Sequence, residues 1–437
     1  MRGRWTGALG LALLLIPSPS RLAAQEATAP ARSGGVEEAG PPVMVDNPLG
    51  EVPPDDPRMQ SYSHGNYALY VVDFLWSSGL LALIVFSRFG GVLQGWASKW
   101  TRSSNLTVAA YAVLFGLVTF AARFPLSLYA SYVREKRYGF ANQTLAAWLG
   151  DRGKGLGVTL VLQTTVLVIL YAAIRRWDRR WWMAGSILAV LFAILLIAIA
   201  PVFIAPLFNR FEPLPDASLR ADILEMARRE GIPAHDVYQV DASRQSAHTN
   251  AYVAGLLGTQ RIVLYDTLLS RFTPREIRTV MGHEMGHYVL NHVWKTVAFL
   301  IPVIVAGLFV ADRVSRRVIE RRPDLGIAAL SEPSSLPLIS LVLSVFLFVV
   351  RPAIATFSRA QEHQADLFGL AVTGDPEAAA SAFLKFGRLD LDEYHVDPWI
   401  ETLLYSHPSL ASRIRTARDY ARGHGSGDRD ARRPSIP

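Results

Sequence analysis

Residues 283–292 read HEMGHYVLNH, with His283 and His287 four apart and Glu284 directly after the first histidine. On an α-helix a four-residue step turns about 40° net, so both imidazoles leave one face and can meet a single metal ion. Glu284 then stands beside that ion. This is the H-E-x-x-H pattern, in which two histidines hold zinc and the glutamate is general base for an activated water. A catalytic zinc site takes three protein ligands and keeps a fourth position open, so one more ligand must come from elsewhere. The chain contains no cysteine, which leaves His, Asp or Glu for that place and excludes a thiol nucleophile and disulfides. Glu362, in the polar segment SRAQEHQAD, is the best candidate, with His363 as its rival. Asp366 is four residues on, hence on the same helical face as Glu362, where it could accept a hydrogen bond that orients a ligand. His407 is followed by Pro408 and then Arg413; a histidine or arginine there would suit donation to an oxyanion, but by itself His407 reads as a loop residue. His292, five past His287, would turn away from the metal face on a continued helix and reads as a surface or interfacial residue.

A helix must carry the metal motif, and the sequence supplies its start. Thr273-Pro274-Arg275-Glu276 offers an N-cap, a proline at the first helical position and a glutamate at the third. Upstream, 216–230 has Leu219, Ile223, Met226 and Ala227 at helical spacing, with Gly231 as a stop signal. The runs VYQVD at 237–241, NAYVAG at 250–255 and RIVLYD at 261–266 are β-rich. Residues 376–389 and 408–422 have helical character.

The 437 residues are enough for two or three ordinary domains, but much of the apolar content lies in runs too long for a soluble core. Residues 67–86, 106–122, 155–174, 183–200, 296–310 and 336–350 are almost free of charge, and most approach the roughly 20 residues that cross a bilayer. The reading is six transmembrane helices, with 124–133 ambiguous. Asp73 falls within the first run; it is placed near a helix end, from which it could reach the interface. The net charge of +7 comes mostly from arginines beside these runs, and no basic stripe with interleaved aromatics points to nucleic acid.

The resulting order is a signal peptide or signal anchor at 1–24, a disordered linker at 25–66, and amino-terminal transmembrane helices at 67–200. A first soluble part at 201–295 carries the metal motif, a transmembrane hairpin follows at 296–350, a second soluble part with the third ligand covers 351–422, and 423–437 is a disordered tail. Arginines in the loops at 87–105, 175–182 and 311–335 place those loops in the cytoplasm of a bacterial cell and the motif outside, although the basic loop 123–154 opposes this.

HEMGH, SRAQEHQAD and YSHPSLASRI, in that order around a membrane hairpin, resemble the type 1 CAAX prenyl protease family of integral-membrane zinc metalloproteases. EKRYGFANQT at 135–144, APLFNRFEPLP at 205–215 and SRQSAHTNAYVAGLLGTQRIVLYDTLL at 243–269 extend the likeness over roughly residues 67–420. The resemblance implies a mainly α polytopic membrane protein whose helices enclose a chamber, joined to an α+β, gluzincin-like zinc metalloprotease domain with a small sheet. It implies one zinc ion per chain on His283, His287 and Glu362, Glu284 as base, and Asp366 behind a ligand. It makes His407 and Arg413 the residues that hold substrate or its oxyanion. Asn250, Ala251, Tyr252 and Val253 become an edge strand that binds the substrate backbone by strand addition.

The expected partners are therefore a peptide or protein substrate and a lipid bilayer, with the oligomeric state left open. Two other classes compete. A scaffold or chaperone that keeps the fold without turnover would not need the intact set His283, Glu284, His287 and Glu362. A transporter would leave the metal motif unexplained.

Overall fold

The computed structural model describes residues 45–255 and 260–423. The segment read as signal peptide, the linker up to residue 44 and the tail from residue 424 lie outside the described residues.

Helix α1 (Pro57–Phe86) starts ahead of the apolar run. Asp56 caps it by accepting from the Arg58 backbone N–H at 2.6 Å, and Pro57 occupies the first turn, where its missing N–H costs nothing. Residues 57–66 were expected in the linker and are instead helical. The reason is tertiary: Met59, Tyr62 and Ser63 are buried within the fold, so packing organises a stretch that has no apolar run of its own. The earlier start also corrects Asp73. Being well inside α1 rather than near its end, it accepts a hydrogen bond from Arg123 at 2.6 Å.

Helix α2 (Phe89–Trp100) is short and is followed by α3 (Ser104–Tyr138), α4 (Leu145–Arg176) and α5 (Trp181–Leu207). The ambiguous stretch 124–133 continues α3, which loosens into a π turn at Tyr129–Val133 just after Pro125. Next come β1 (Phe211–Pro213), α6 (Ala217–Arg229), β2 (Val237–Val240), β3 (Ala251–Ala254) and β4 (Arg261–Tyr265). Helix α7 (Pro274–Val289) carries the HEMGH motif, α8 (His292–Arg321) and α9 (Leu336–Thr373) form the hairpin, and α10 (Pro376–Asp390), α11 (Pro398–Leu404) and α12 (Leu410–Gly423) close the chain. Among the described residues, α1, α3, α4, α5, α8 and α9 are long and apolar enough to cross a membrane.

The described strands make one mixed sheet in the order β1-β2-β4-β3: β1 and β3 lie antiparallel to their neighbours, β2 and β4 parallel to each other. Tyr252 of β3 stands opposite Val263 of β4, and β3 is an edge. Behind the sheet, Ile223, Val237, Leu264, Met281 and Ile414 form a core that joins α6, the strands, α7 and α12. Each such side chain contributes about 1.5–3 kcal/mol when fully buried. A second core, with Leu93, Phe115, Leu170, Trp181 and Leu308, joins the membrane helices to one another.

Candidate metal centre and substrate chamber

The start of α7 is fixed twice over. Thr273 Oγ1 accepts from the Glu276 backbone N–H at 3.4 Å while Glu276 returns a bond to the Thr273 N–H at 2.7 Å. Glu276 is also held by Lys385 at 2.6 Å and Ser381 at 2.6 Å, both buried on α10. This clamps the register of the motif helix against the rest of the soluble part.

Helix α7 then meets α9 at unusually close range. A Cβ on Gly369 would lie 2.8 Å from the His283 backbone nitrogen, and one on Gly286 would lie 3.2 Å from the Ala365 Cα. Glycine is what lets the two helices approach until their side chains interlock.

The approach brings Glu362 of α9 to both histidines of α7. His283 Nε2 and His287 Nε2 are 3.1 Å apart. Glu362 Oε2 is 3.3 Å from His283 Nε2, and its Oε1 is 3.5 Å from His287 Nε2. Ligand atoms about 2.0–2.1 Å from a tetrahedral zinc ion stand about 3.3 Å from each other, so the spacing fits that ion. All three side chains are buried, and Glu362 Oε2 has no hydrogen-bond partner, the neighbouring histidine lying off hydrogen-bond geometry. A buried carboxylate oxygen without a donor is costly, and a cation between these groups would satisfy it. His363, the rival ligand, is exposed.

The candidate ligands have supports of their own. His283 Nδ1 donates to Asp366 Oδ1 at 2.8 Å, which leaves Nε2 free to offer its lone pair. Burial opposes charge on His283, but the hydrogen bond to Asp366 and the nearby carboxylate of Glu362 outweigh it and lift its pKa to about 9. His287 is the opposite case: burial pushes its pKa down to about 3 against the pull of Glu362, so it stays neutral.

Arg413 of α12, expected at the substrate, directs its guanidinium at Asp366, with Nε at 2.8 Å from Oδ2 and Nη2 bonded to Oδ1. The physical reason is burial: a fully enclosed guanidinium needs a carboxylate, and Asp366 supplies one. It also lines the chamber described below. His407 Nε2 is 3.3 Å from Glu362 Oε1, so the loop histidine belongs to the site. Burial lowers its pKa to about 4 despite Glu362. Ser406 Oγ is 3.0 Å from Nδ1; in the tautomer in which the hydroxyl donates there, the proton of neutral His407 is on Nε2, on the metal side.

His292 corrects the sequence reading. It is fully buried, and its Nδ1 is 2.9 Å from His287 Nδ1. Asn291 has φ 56°, ψ 35°, a left-handed residue that breaks the helix and swings the next side chain back. Asparagine is the residue type, after glycine, that most readily takes this conformation, and that was the available clue. His248, part of a family-like motif but not singled out there, lies between two carboxylates just ahead of β3, with Nδ1 3.0 Å from Asp390 Oδ1 and Nε2 3.1 Å from Glu135 Oε2.

From this site a cavity of about 570 Å³ extends between the membrane helices. His407 and Arg413 line it with Asn250, and Tyr70, Phe120 and Phe124 belong to its membrane wall. Glu284, next to His283 on α7, is half-buried and adds to the field that keeps the Arg413 pKa raised.

Residues 213–421 match the model of peptidase family M48, and residues 53–210 match the CAAX prenyl protease N-terminal model, described as five membrane helices. Over 361 residues the chain is 32% identical to the uncharacterized metalloprotease YhfN of Bacillus subtilis, covering 82% of this chain and 84% of that protein. The chain belongs to peptidase family M48. CAAX prenyl protease 1 of Saccharomyces cerevisiae is 30% identical over 334 residues, 72% of this M48 chain and 73% of the yeast protein. The crystal structure of S. mikatae Ste24p superposes with a TM-score of 0.75 over 94% of this chain and 99% of that one; at 22% identity the likeness is one of fold. The M48 chain is therefore a multi-pass membrane metalloprotease, and His283, His287 and Glu362 are the group that could hold its metal ion.

Proposed function

We propose that this chain is a zinc-dependent endopeptidase that cleaves peptide substrates at the mouth of its membrane chamber, with His283, His287 and Glu362 as the zinc ligands. The observation that carries the reading is the convergence of those three buried groups around an unsatisfied carboxylate oxygen of Glu362. Bound zinc supplies Lewis-acid activation of the attacking water and of the scissile carbonyl. Glu284 takes a proton from that water as its oxygen bonds to the carbonyl carbon. His407 donates from Nε2 to the oxyanion that develops, and Glu284 returns the proton to the amide nitrogen as the C–N bond breaks. The substrate backbone adds to the edge strand at Asn250, Ala251, Tyr252 and Val253, where main-chain hydrogen bonds give affinity with little side-chain demand. Asp366, braced by Arg413, fixes the donor face of His283.

The apolar chamber leading to this strand suits a peptide that arrives with a lipid anchor, and relatives named CAAX prenyl protease 1 point to processing near a carboxyl end. The test compares wild type with Glu284→Gln in membranes by mapping new peptide termini. Glu284→Gln is expected to fold, to keep its zinc and to lose on the order of 10²–10⁴-fold in rate. Substantial residual cleavage would sink the mechanism. Wild-type cuts scattered through membrane proteins, rather than near carboxyl ends, would replace carboxyl-terminal processing by quality control. A catalytically silent scaffold predicts no stoichiometric zinc and no difference between the two proteins.

A further inference from the structure

The two histidines of the motif are supported differently. His283 has a carboxylate behind it, whereas the nitrogen of His287 turned away from the metal group meets another imidazole, His292 Nδ1, at 2.9 Å. The rings stand 5.0 Å apart and inclined by 71°, an edge-on arrangement suited to a nitrogen-to-nitrogen hydrogen bond. His292 Nε2 is in turn 3.1 Å from Gln364 Oε1. The backbone of His292 is tied to the same helix, because Gln361 Nε2 donates to its carbonyl at 3.2 Å and Thr296 Oγ1 donates to Gln361 Oε1 at 2.9 Å. Gln361 and Gln364 flank Glu362 on α9.

The protons in this chain have one consistent assignment. A neutral imidazole has one donor nitrogen and one acceptor. For His287 Nε2 to present a lone pair beside His283 and Glu362, the proton must be on Nδ1, which then donates to His292 Nδ1. His292 must accept there, so its own proton is on Nε2 and is donated to Gln364, whose amide oxygen can only accept. A carboxylate in place of His292 would do the same for His287 alone; the imidazole passes the requirement on to α9.

We propose that His292 is the positioning residue of the metal centre that holds His287 in the Nδ1–H tautomer and orientation for zinc, with Gln364 as its anchor. Through it the first residue of membrane helix α8 becomes part of the site, and α7, α8 and α9 are locked together by one row of hydrogen bonds. The inference rests on the zinc-site reading above.

The test measures zinc affinity of the full chain in detergent by chelator competition, with thermal melting alongside. His292→Phe keeps a ring of similar size but cannot accept, and is expected to weaken zinc binding by about 10–100-fold. His292→Asn, whose Oδ1 falls near the Nδ1 position, is expected to recover affinity to within a few-fold of wild type. Gln364→Leu leaves both histidines in place, should weaken binding by a smaller factor, and gives an answer even where His292→Phe fails to fold. Wild-type affinity in both His292→Phe and Gln364→Leu overturns the proposal, as does an Asn variant as impaired as the Phe variant, since packing alone would then explain the loss. A wild-type chain that binds no zinc would instead defeat the reading on which the inference rests.

Discussion

At the scale of single residues, the chemistry was legible wherever spacing alone determines geometry. His283 and His287 share a helical face, and Glu362 with Asp366 repeats the same four-residue step on α9, so the two short strings offered the buried His283–His287–Glu362 group as a candidate, with His363 still a rival for the third place. Arg413 and His292 were read less well because their partners depend on how distant segments pack: Arg413 finds Asp366, and His292 finds His287 across a left-handed residue. The Asp366–Arg413 pair is buried on both sides. Breaking such a pair on one side leaves a charge uncompensated and costs about 3–5 kcal/mol. Asp366→Asn is therefore expected to lower the melting temperature by several degrees, because Arg413 loses its carboxylate while the Asn oxygen still accepts from His283. Adding Arg413→Gln should restore part of that loss, since neither member of the pair is then charged. A double variant no more stable than the single one would show that the Asp366 carboxylate matters for something other than Arg413.

At the scale of elements, start signals were the most informative part of the chain. The Thr273–Glu276 capping box placed α7 to the residue, and the apolar runs located the six long helices found among the described residues. The beginning of α1 was missed because residues 57–66 are amphipathic and polar enough to pass for linker; only Asp56-Pro57 marked it, and its helicity depends on contacts far along the chain. What no local pattern announces is how near α7 comes to α9. Gly282 precedes the motif and Gly286 fills one of its two unspecified positions, yet they are the residues that admit α9, whose Gly369 returns the favour beneath His283. Gly369→Ala would set a Cβ 2.8 Å from the His283 backbone nitrogen, a contact relieved only by moving a helix. Overpacking of this kind costs about 1–3 kcal/mol. Because Glu362 rides on α9, the displacement should also weaken zinc binding, whereas an alanine at exposed Gly150 inside α4, with open space around it, should leave zinc affinity unchanged and melting unchanged or slightly raised. Unaltered melting and zinc affinity in Gly369→Ala would mean that the close approach does not set the spacing of the ligands.

At the scale of the whole molecule, the question is what couples the membrane half to the catalytic half. His248 provides one answer, bridging Glu135 at the end of α3 and Asp390 at the end of α10 while stacking on Phe140 at 4.0 Å. Asp390 also accepts from the Thr249 hydroxyl at 2.7 Å, one residue before Asn250, so the brace sets the entry to the edge strand. These links span more than a hundred positions of sequence, beyond any periodicity. With acceptors on both nitrogens, His248 is held as an imidazolium: burial opposes the charge, but Asp390 and Glu135 outweigh it and raise its pKa to about 9. A raised pKa gives a stabilisation that is fully present below the unfolded value near 6.5 and is lost as pH climbs through about 9. Its size is on the order of 2–3 kcal/mol, trimmed by solvent because the side chain is 30% exposed. Wild type should thus lose melting temperature between about pH 6.5 and 9 more steeply than His248→Gln, which has no proton to release and starts from a lower value. Lysines and tyrosines titrate in both proteins, so the difference between the two curves isolates His248. Parallel curves would remove the brace as a charged device and leave it a neutral hydrogen-bonded contact; converging curves would mean that the same proton that joins the two halves also steadies the strand on which a substrate is proposed to lie.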